Sequence, residues 1–248
     1  SGPGGLFTTV SDTLANRAFA LALPVPLIVG LEELVDGTLL EYLGRRRWTA
    51  AVFEGGQHEE PEAVERHEAA LWMALAKAGV IEADEPRVHE ARARLAEAAR
   101  GLPPALEMRY RHPVSPGDGF RMLPGFRNFQ PVRRGEVLAE DRNGPVRAPE
   151  SGLVLMPLYQ EQGQDGFFLV RPFTTFWLGV SRLLRLLRVQ NVVHWLPGVR
   201  RHPTLPGALV VNRRVARWFA LELLHLLGYR RHLDEGDRLV VIRRPGGL

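Results

Sequence analysis

A β-prone run that ends in a carboxylate and then passes through two glycines into a helix start constrains this chain more than any other feature. Residues 48–53 are mostly apolar, Glu54 follows them, and Gly55 and Gly56 come next. Pro61 then stands at the first position of a predicted helix, with acidic residues around it. A strand followed so closely by a helix indicates an α/β fold and puts Glu54 at the carboxyl end of its strand.

Ligands bind at that edge in open α/β sheets, so Glu54 is a candidate general base. The glycines leave the neighbouring backbone uncovered. The alternative interpretation is a strand-end glutamate that caps the following helix.

Residues 1–101 are predicted to form an α/β domain. Its elements are a helix capped by Ser11 and ending at Leu23, a buried strand at 27–30, a helical stretch at 38–43, the Glu54 strand, and helices at 61–78 and 86–100. In the 61–78 helix we expect Val64, Leu71 and Leu75 to face inward, and in the last helix Val88, Ala91, Leu95 and Ala98.

Residues 102–172 change character, because frequent glycines separate short β-prone runs and helical periodicity disappears. This pattern predicts a small β domain. Residues 173–248 are predicted to form a basic α+β extension, with strands at 208–211 and 238–242, a helix at 213–227 and a hairpin turn at 234–237.

Charge is distributed unevenly along the chain. The first hundred residues carry 10 Lys and Arg against 16 Asp and Glu, whereas residues 173–248 carry 13 against 4. Within that basic part, Phe176, Trp177 and Leu183 lie on one helical stripe, with Arg182 and Arg185 on the other side. A helix docked on the protein is the commoner outcome for such a pattern, and a helix on a membrane surface is the alternative.

Composition excludes several classes. The chain has no cysteine, so it forms no disulfide and has no thiolate chemistry, and no apolar run is long enough to span a membrane. A basic tail is a weak signal for nucleic acid, which we do not expect as a partner.

Three stretches in a fixed order carry a resemblance to a known family. They are residues 53–58, then 123–139 with 146–157, and finally 163–170. Over residues 1–172 the chain resembles the succinylglutamate desuccinylase and aspartoacylase family, which are zinc-dependent deacylases of the carboxypeptidase-like group. The resemblance implies the C-terminal half of a zinc-hydrolase α/β domain in residues 1–101 and a barrel-sandwich-like domain in residues 102–172.

The family's zinc ligands have no counterpart here. Members hold zinc through a His-x-x-Glu pair and a later histidine at a strand end, and the opening Ser1–Thr8 resembles the family's segment just after that histidine. We therefore expect an N-terminally truncated chain, with the zinc ligands in the missing part. The resemblance implies no metal-ligating residue in this chain, and we expect these residues alone to bind no stoichiometric zinc and to be inactive.

Internal histidines do not replace those ligands in this interpretation. The single His-x-x-Glu, His232 to Glu235, falls at an apparent hairpin turn and is interpreted as solvated. His58 and His67 are nine residues apart, which does not place them on one helical face, and His58 is interpreted as a pocket-rim or capping residue.

The resemblance also assigns roles to particular residues. Glu54 would take a proton from the attacking water and deliver it to the departing amine. Some members place an arginine about ten residues before this glutamate to bind a substrate carboxylate, and Arg45 is the nearest match, although a solvated turn is the alternative. A family tyrosine near the end of the β domain is replaced by Phe167 or Phe168, which leaves the substrate class open.

The sequence thus predicts a cytoplasmic zinc-dependent deacylase that cleaves the amide of an N-acyl amino acid or a related small molecule. A homo-oligomer is possible, and no membrane span is expected. The alternative is a non-catalytic binding or adaptor protein that uses the basic C-terminal extension.

Overall fold

The computed structural model describes residues 5–35, 37–57, 60–160, 163–205, 207–212, 215, 223–229, 231–235 and 238–242. Its helices are α1 (Leu14–Ala20), α2 (Leu39–Arg45), α3 (Pro61–Lys77), α4 (Pro86–Ala98) and α5 (Thr175–Leu186). Its strands are β1 (Phe7–Val10), β2 (Leu27–Val29), β3 (Val52–Glu54), β4 (Ala105–Pro113), β5 (Arg121–Met122), β6 (Pro131–Val132), β7 (Val137–Asp141), β8 (Gly144–Arg147), β9 (Gly152–Leu155), β10 (Asp165–Pro172), β11 (Val199–Arg201), β12 (Ala208–Asn212), β13 (Arg231–Glu235) and β14 (Arg238–Ile242). The mixture of helices and strands confirms the predicted α/β class.

The chain divides into two compact units, each made of separate segments. The first unit comprises residues 1–8, 21–28 and 53–172, and the second comprises residues 9–20, 29–52 and 173–248. These boundaries differ from the three segments expected from the sequence. Whether those segments are separate domains stays a prediction.

A seven-stranded sheet has the order β3-β1-β2-β4-β10-β9-β6. Strands β4 and β10 are its longest members and pair antiparallel, with Phe167 opposite His112 and Val170 opposite Met108. Strand β9 continues the antiparallel pairing on β10, and β6 continues it on β9. Strand β3 lies at the other edge, so Glu54 ends an edge strand.

Helices α3 and α4 pack in the first unit around small apolar side chains. The cluster contains Leu6, Leu23, Val25, Ala69, Ala70, Met73, Val88, Ala91 and Leu95, with Ala98 partly buried against it. The predicted face of α4 is therefore confirmed. The predicted face of α3 is wrong, because Val64 and Leu71 are 70% and 64% exposed and Leu75 is 38% exposed. The alanines on the opposite side of α3 let it approach α4 closely, and that packing determines its orientation.

The segment predicted as a β domain contributes strands to two sheets. Strands β5, β7 and β8 form a three-stranded antiparallel sheet, while β4, β6, β9 and β10 belong to the seven-stranded one. Residues from both sheets share one hydrophobic cluster that includes Leu138, Val154 and Phe167. The described strands make two open sheets and not a closed barrel.

The second unit contains a four-stranded antiparallel sheet of order β11-β12-β14-β13. It packs around Val193, Val199, Leu209, Val211, Leu224, Leu227, Tyr229, Leu239 and Val241. The predicted strands at 208–211 and 238–242 are confirmed. The predicted turn at 234–237 is wrong at its start, because β13 continues through Asp234 to Glu235. Most of the predicted 213–227 helix lies outside the described residues; residues 223–226 are helical.

The predicted cap of the first helix is also wrong. The side chain of Thr13, not Ser11, accepts a hydrogen bond from the Asn16 backbone N–H at 3.1 Å, and Ser11 Oγ donates to the Leu40 carbonyl instead. The helix ends at Ala20, earlier than the predicted Leu23. Among the described residues, no helix has the length and apolar character needed to cross a membrane.

Candidate functional site

Glu54 is the last residue of β3 and is half-buried. Its strand neighbour Phe53 is also half-buried and packs against the α3–α4 cluster. The chain then turns through Gly55 and Gly56 and enters α3 at Pro61, as the sequence predicts. Glu54 is therefore held on a short strand whose following turn is fixed by the first two turns of α3.

His67 fixes the turn from one side. Its Nδ1 lies 2.7 Å from the Ala63 carbonyl oxygen, and its ring meets Phe53 edge-on at a centroid distance of 5.2 Å. A Cβ added at Gly55 would lie 2.5 Å from two atoms of the His67 ring and 3.1 Å from the Ala63 oxygen. A side chain at position 55 would therefore force the His67 ring or the helix backbone to move.

Arg66 fixes the turn from the other side. Its Nη1 donates to the Gly55 carbonyl oxygen at 3.0 Å and lies 3.4 Å from Glu60 Oε2. Gly56 has a φ of +124°, and a Cβ there would lie 2.8 Å from Arg66 Nη1. The positive φ favours glycine at this position, and the guanidinium would have to move aside for a side chain.

Sequence reasoning did not identify Arg66 as a contributor to this site. It considered His67 only as a possible metal ligand paired with His58. The available signal was the position of both residues in the second turn of a helix that begins directly after the Gly-Gly turn. His58 itself lies outside the described residues, so its predicted role at a pocket rim stays a prediction.

The arrangement can position one carboxylate at a sheet edge, but Gly55 beside it is buried, so the expectation of uncovered backbone at Gly55 is wrong. Such a carboxylate can accept a proton from a water molecule and return it to a leaving group. Arg66 hydrogen-bonds a backbone carbonyl and helps to hold the turn, so it acts on the shape of the site. The described contacts give Glu54 a defined place but not a reaction partner.

Arg45 lies at the C-terminal end of α2, in the second unit, whereas Glu54 lies in the first. Its side chain is 71% exposed, and Nη2 donates to Glu41 Oε1 one helical turn earlier, at 2.8 Å. An exposed pair of this kind contributes a few tenths of a kcal/mol to about 1 kcal/mol. The role of Arg45 in substrate binding stays a prediction.

The described residues do not fit a zinc site. No group of three or more His, Cys, Asp or Glu side chains that could hold a metal ion occurs in the part of the chain that the structure describes. A protein zinc site needs three or four such donors converging on one point. His232 and Glu235 occupy β13, where they pair with Val241 and Arg238 of β14.

Phe167 and Phe168 are both buried, with 0% and 3% exposure, and whether either replaces the family's tyrosine stays a prediction. Phe167 stacks on the His112 ring at a centroid distance of 5.1 Å and an interplanar angle of 6°. Tyr110 OH lies 3.1 Å from His112 Nδ1. Phe167 thus belongs to the aromatic core of the β segment.

The chain matches no protein-family model, and no curated protein matches it in sequence. Its fold is similar to the crystal structure of succinylglutamate desuccinylase/aspartoacylase from Rhodobacter sphaeroides, with a TM-score of 0.51 and 17% identity over 70% of this chain and 55% of that one. The product-bound ectoine utilization protein EutE (DoeB) from Ruegeria pomeroyi gives a TM-score of 0.48 and 21% identity over 71% of this chain and 56% of that one. A succinylglutamate desuccinylase from Silicibacter sp. TM1040 gives a TM-score of 0.46 and 15% identity, over 69% of this chain and 56% of that one.

The chain therefore spans 55% to 56% of the length of these proteins. The first structure, with a TM-score of 0.51, defines the fold. The resemblance predicted from residues 1–172 is confirmed at the level of the fold, and the matched part of the chain has the fold of the succinylglutamate desuccinylase/aspartoacylase structure.

Proposed function

We propose that this chain is part of an amidohydrolase that removes the acyl group from an N-acyl amino acid or a related small amide, in the cytoplasm. The observation that carries the proposal is the position of Glu54, at the end of β3 and followed by a fixed Gly-Gly turn, in a chain with the fold of a succinylglutamate desuccinylase/aspartoacylase. This likeness favours a hydrolase over the adaptor expected as the alternative.

In this proposal Glu54 is the general base and then the general acid. Its carboxylate accepts a proton from the water that attacks the amide carbonyl, and the same proton passes to the nitrogen of the departing amine. The Arg66 bond to the Gly55 carbonyl and the His67 bond to Ala63 keep the turn at the buried Gly55, beside Glu54, in place.

The proposed reaction requires zinc, and the described residues do not provide a group of side chains that could bind it. Its donors would belong to residues outside the printed sequence, and these 248 residues alone are then expected to be inactive. Arg45 is proposed as the arginine that binds a substrate carboxylate, because a guanidinium matches a carboxylate with two parallel hydrogen bonds.

Replacing Glu54 with glutamine tests the proposed role. The experiment uses the polypeptide as its gene encodes it, and measures amine release from N-succinylglutamate, N-acetylaspartate and other N-acyl amino acids. We expect Glu54→Gln to lower kcat by about 10²- to 10⁴-fold, because proton transfer is lost while size and shape are kept.

The matched control is Glu62→Gln, which changes an exposed carboxylate in the first turn of α3. It should keep wild-type kcat, and both variants should keep the wild-type melting temperature. Wild-type turnover in Glu54→Gln would contradict the assignment of Glu54. No amine release by the wild-type polypeptide with any substrate would contradict the hydrolase proposal itself.

A further inference from the structure

Helix α5 is oriented opposite to what its sequence predicts. Its buried residues are Ser181 and Arg185, and Arg185 has no exposed surface. Five large apolar residues are exposed instead: Phe176 67%, Trp177 47%, Leu183 57%, Leu186 59% and Leu187 65%. We call these five residues the α5 face.

The polar side of α5 is buried because it completes a hydrogen-bonded ion-pair network. Arg185 Nη2 lies 2.8 Å from Asp12 Oδ2, Nη1 donates to the Asp12 carbonyl oxygen at 2.7 Å, and Nε donates to the Leu226 carbonyl oxygen at 3.0 Å. Ser181 Oγ donates to the same Leu226 oxygen at 2.5 Å. These contacts fix the rotation of the helix about its axis, so the α5 face is held outward.

The surroundings of the α5 face are basic. Arg182 is exposed and lies about 120° around the helix from Phe176, and exposed Arg188 lies just beyond the C-cap residue Leu187. The 49 residues from 173 to 221 contain eight arginines and no aspartate or glutamate. Trp195, nine residues beyond the helix, is 77% exposed.

We propose that the α5 face binds an anionic lipid surface, with the helix lying in the plane of the membrane interface. Leucine and phenylalanine side chains would enter the boundary between headgroups and acyl chains, and arginines at the rim would contact lipid phosphates. Tryptophan, which is apolar with one N–H donor, suits the same interface. The proposal does not depend on the proposed hydrolase activity.

Charge distinguishes this occupant from the others. Two copies of the chain packed through the α5 face would bring arginines together, with no carboxylate of residues 173–221 to neutralise them. A nucleic acid would neutralise the arginines but leave the leucines in water. An anionic lipid layer offers both an apolar phase and negative charge.

Helix α3 provides a matched comparison within the chain. It also exposes apolar residues, Val64 at 70% and Leu71 at 64%, but Glu65 and Glu68 are exposed beside them. Residues 61–77 carry three glutamates against Arg66 and Lys77, and Glu65 is paired with Arg94, so this helix offers an anionic surface no excess of positive charge. Apolar exposure alone therefore predicts binding at both helices, whereas the proposal predicts binding at α5 alone.

The test is co-sedimentation of the full chain with vesicles of phosphatidylcholine, with and without about 30% phosphatidylserine. We expect binding to the anionic vesicles that Phe176→Ser/Leu183→Ser/Leu187→Ser reduces at least about tenfold. Val64→Ser/Leu71→Ser should bind as wild type. Arg182→Gln/Arg188→Gln should reduce binding to anionic vesicles on the order of tenfold and leave any binding to neutral vesicles unchanged.

Melting temperatures check that each variant is folded. The proposal is overturned if wild type fails to bind anionic vesicles, or if the triple serine variant binds as well as wild type. It is also overturned if analytical ultracentrifugation shows a dimer that the triple variant abolishes, because a second copy would then cover the α5 face.

Discussion

At the scale of single residues, close packing around the Gly-Gly turn determines where Glu54 can lie. The absent side chain of Gly55 leaves room for His67, and the positive φ of Gly56 allows the chain to reverse toward Arg66. The position of Glu54 thus depends on the absence of side chains at Gly55 and Gly56. The proposed catalytic role depends on this turn, since a small displacement of a carboxylate impairs proton transfer.

Gly55→Ala tests this packing. The new Cβ would lie 2.5 Å from the His67 ring and 3.1 Å from the Ala63 oxygen. We expect the free energy of unfolding to fall by about 1–3 kcal/mol, measured by urea denaturation. The double variant Gly55→Ala/His67→Ala should lose less free energy of unfolding than the sum of the losses in the two single variants. The reason is that the His67 ring atoms that clash with the new Cβ are absent from the double variant.

Gly179→Ala is the control, because a Cβ at that position of α5 meets nothing within 4 Å. It should raise the free energy of unfolding by about 0.5–1 kcal/mol, since alanine is the better helix former. Equal stability of Gly55→Ala and wild type would show that the turn tolerates a side chain.

At the scale of elements, sequence patterns predicted which segments form helices and strands better than which side of a helix is buried. The spacing of Val88, Ala91 and Leu95 predicted the buried face of α4 correctly, because these apolar residues all lie on one side of the helix. In α3 and α5 the larger apolar residues are exposed. In α3, close packing of its alanines against α4 determines which side is buried.

The buried side of α5 is determined by a partner that is distant in sequence. Arg185 is buried through Asp12, 173 residues away, and no local periodicity contains that contact. Contacts between distant residues were also missed at the candidate site. The strand–glycine–helix pattern predicted the position of Glu54, but the contacts from Arg66 and His67 to the turn depend on the angle at which α3 leaves it.

The pairing of β4 with β10 places a titratable group among aromatic rings. His112 of β4 stacks on Phe167 of β10 and lies 5.4 Å from the Phe120 ring. Burial lowers the pKa of His112, and the nearby Asp141 and Asp118 offset part of this effect. The folded state therefore favours the neutral imidazole.

Stability should consequently depend on pH through His112. Above the unfolded pKa of 6.5 both states hold the neutral ring, and the contribution is constant. Below it the unfolded chain binds a proton more readily, so stability falls until the pH drops below the lowered folded pKa. We expect urea midpoints measured between pH 8 and pH 5 to fall less steeply in His112→Gln than in wild type.

His89→Gln serves as its control, because His89 is exposed on α4. The slope for this variant should follow wild type. If His112→Gln and His89→Gln gave the same slope as wild type, protonation of the stacked histidine would have no part in the acid sensitivity of the β segment.

At the scale of the whole molecule, one buried carboxylate joins segments from the two ends of the sequence within the second unit. Asp12 accepts hydrogen bonds from Arg17 Nε at 2.5 Å and Nη2 at 2.9 Å, and from Arg185 Nη2 at 2.8 Å. Arg17 Nη1 also donates to Ser181 Oγ at 3.0 Å. The Asp12 side chain is 2% exposed, so this network is shielded from water.

Two guanidinium groups share the Asp12 carboxylate, and the buried carboxylate of Glu33 accepts a hydrogen bond from the Asp12 backbone N–H at 3.0 Å. Gly228, with a φ of +89°, lies against Arg185, and a Cβ there would be 2.9 Å from Nη2. The backbone thus contributes carbonyl oxygens and close packing to the network. The fold of the second unit depends on residues 12 and 185 meeting, which makes its assembly a long-range event.

Asp12→Asn should therefore destabilise the second unit strongly. The change keeps the shape of the side chain but removes the carboxylate charge that two buried guanidinium groups share, and breaking a buried pair costs about 3–5 kcal/mol. Hydrogen exchange should show the loss of protection first in α1, α5 and β11–β14. Glu65→Gln, which removes an ion pair to Arg94 whose side chains are 59% and 52% exposed, should cost under about 1 kcal/mol. Uniform loss of protection across both units would mean that they unfold together, and unchanged protection in Asp12→Asn would show that the network does not hold the second unit.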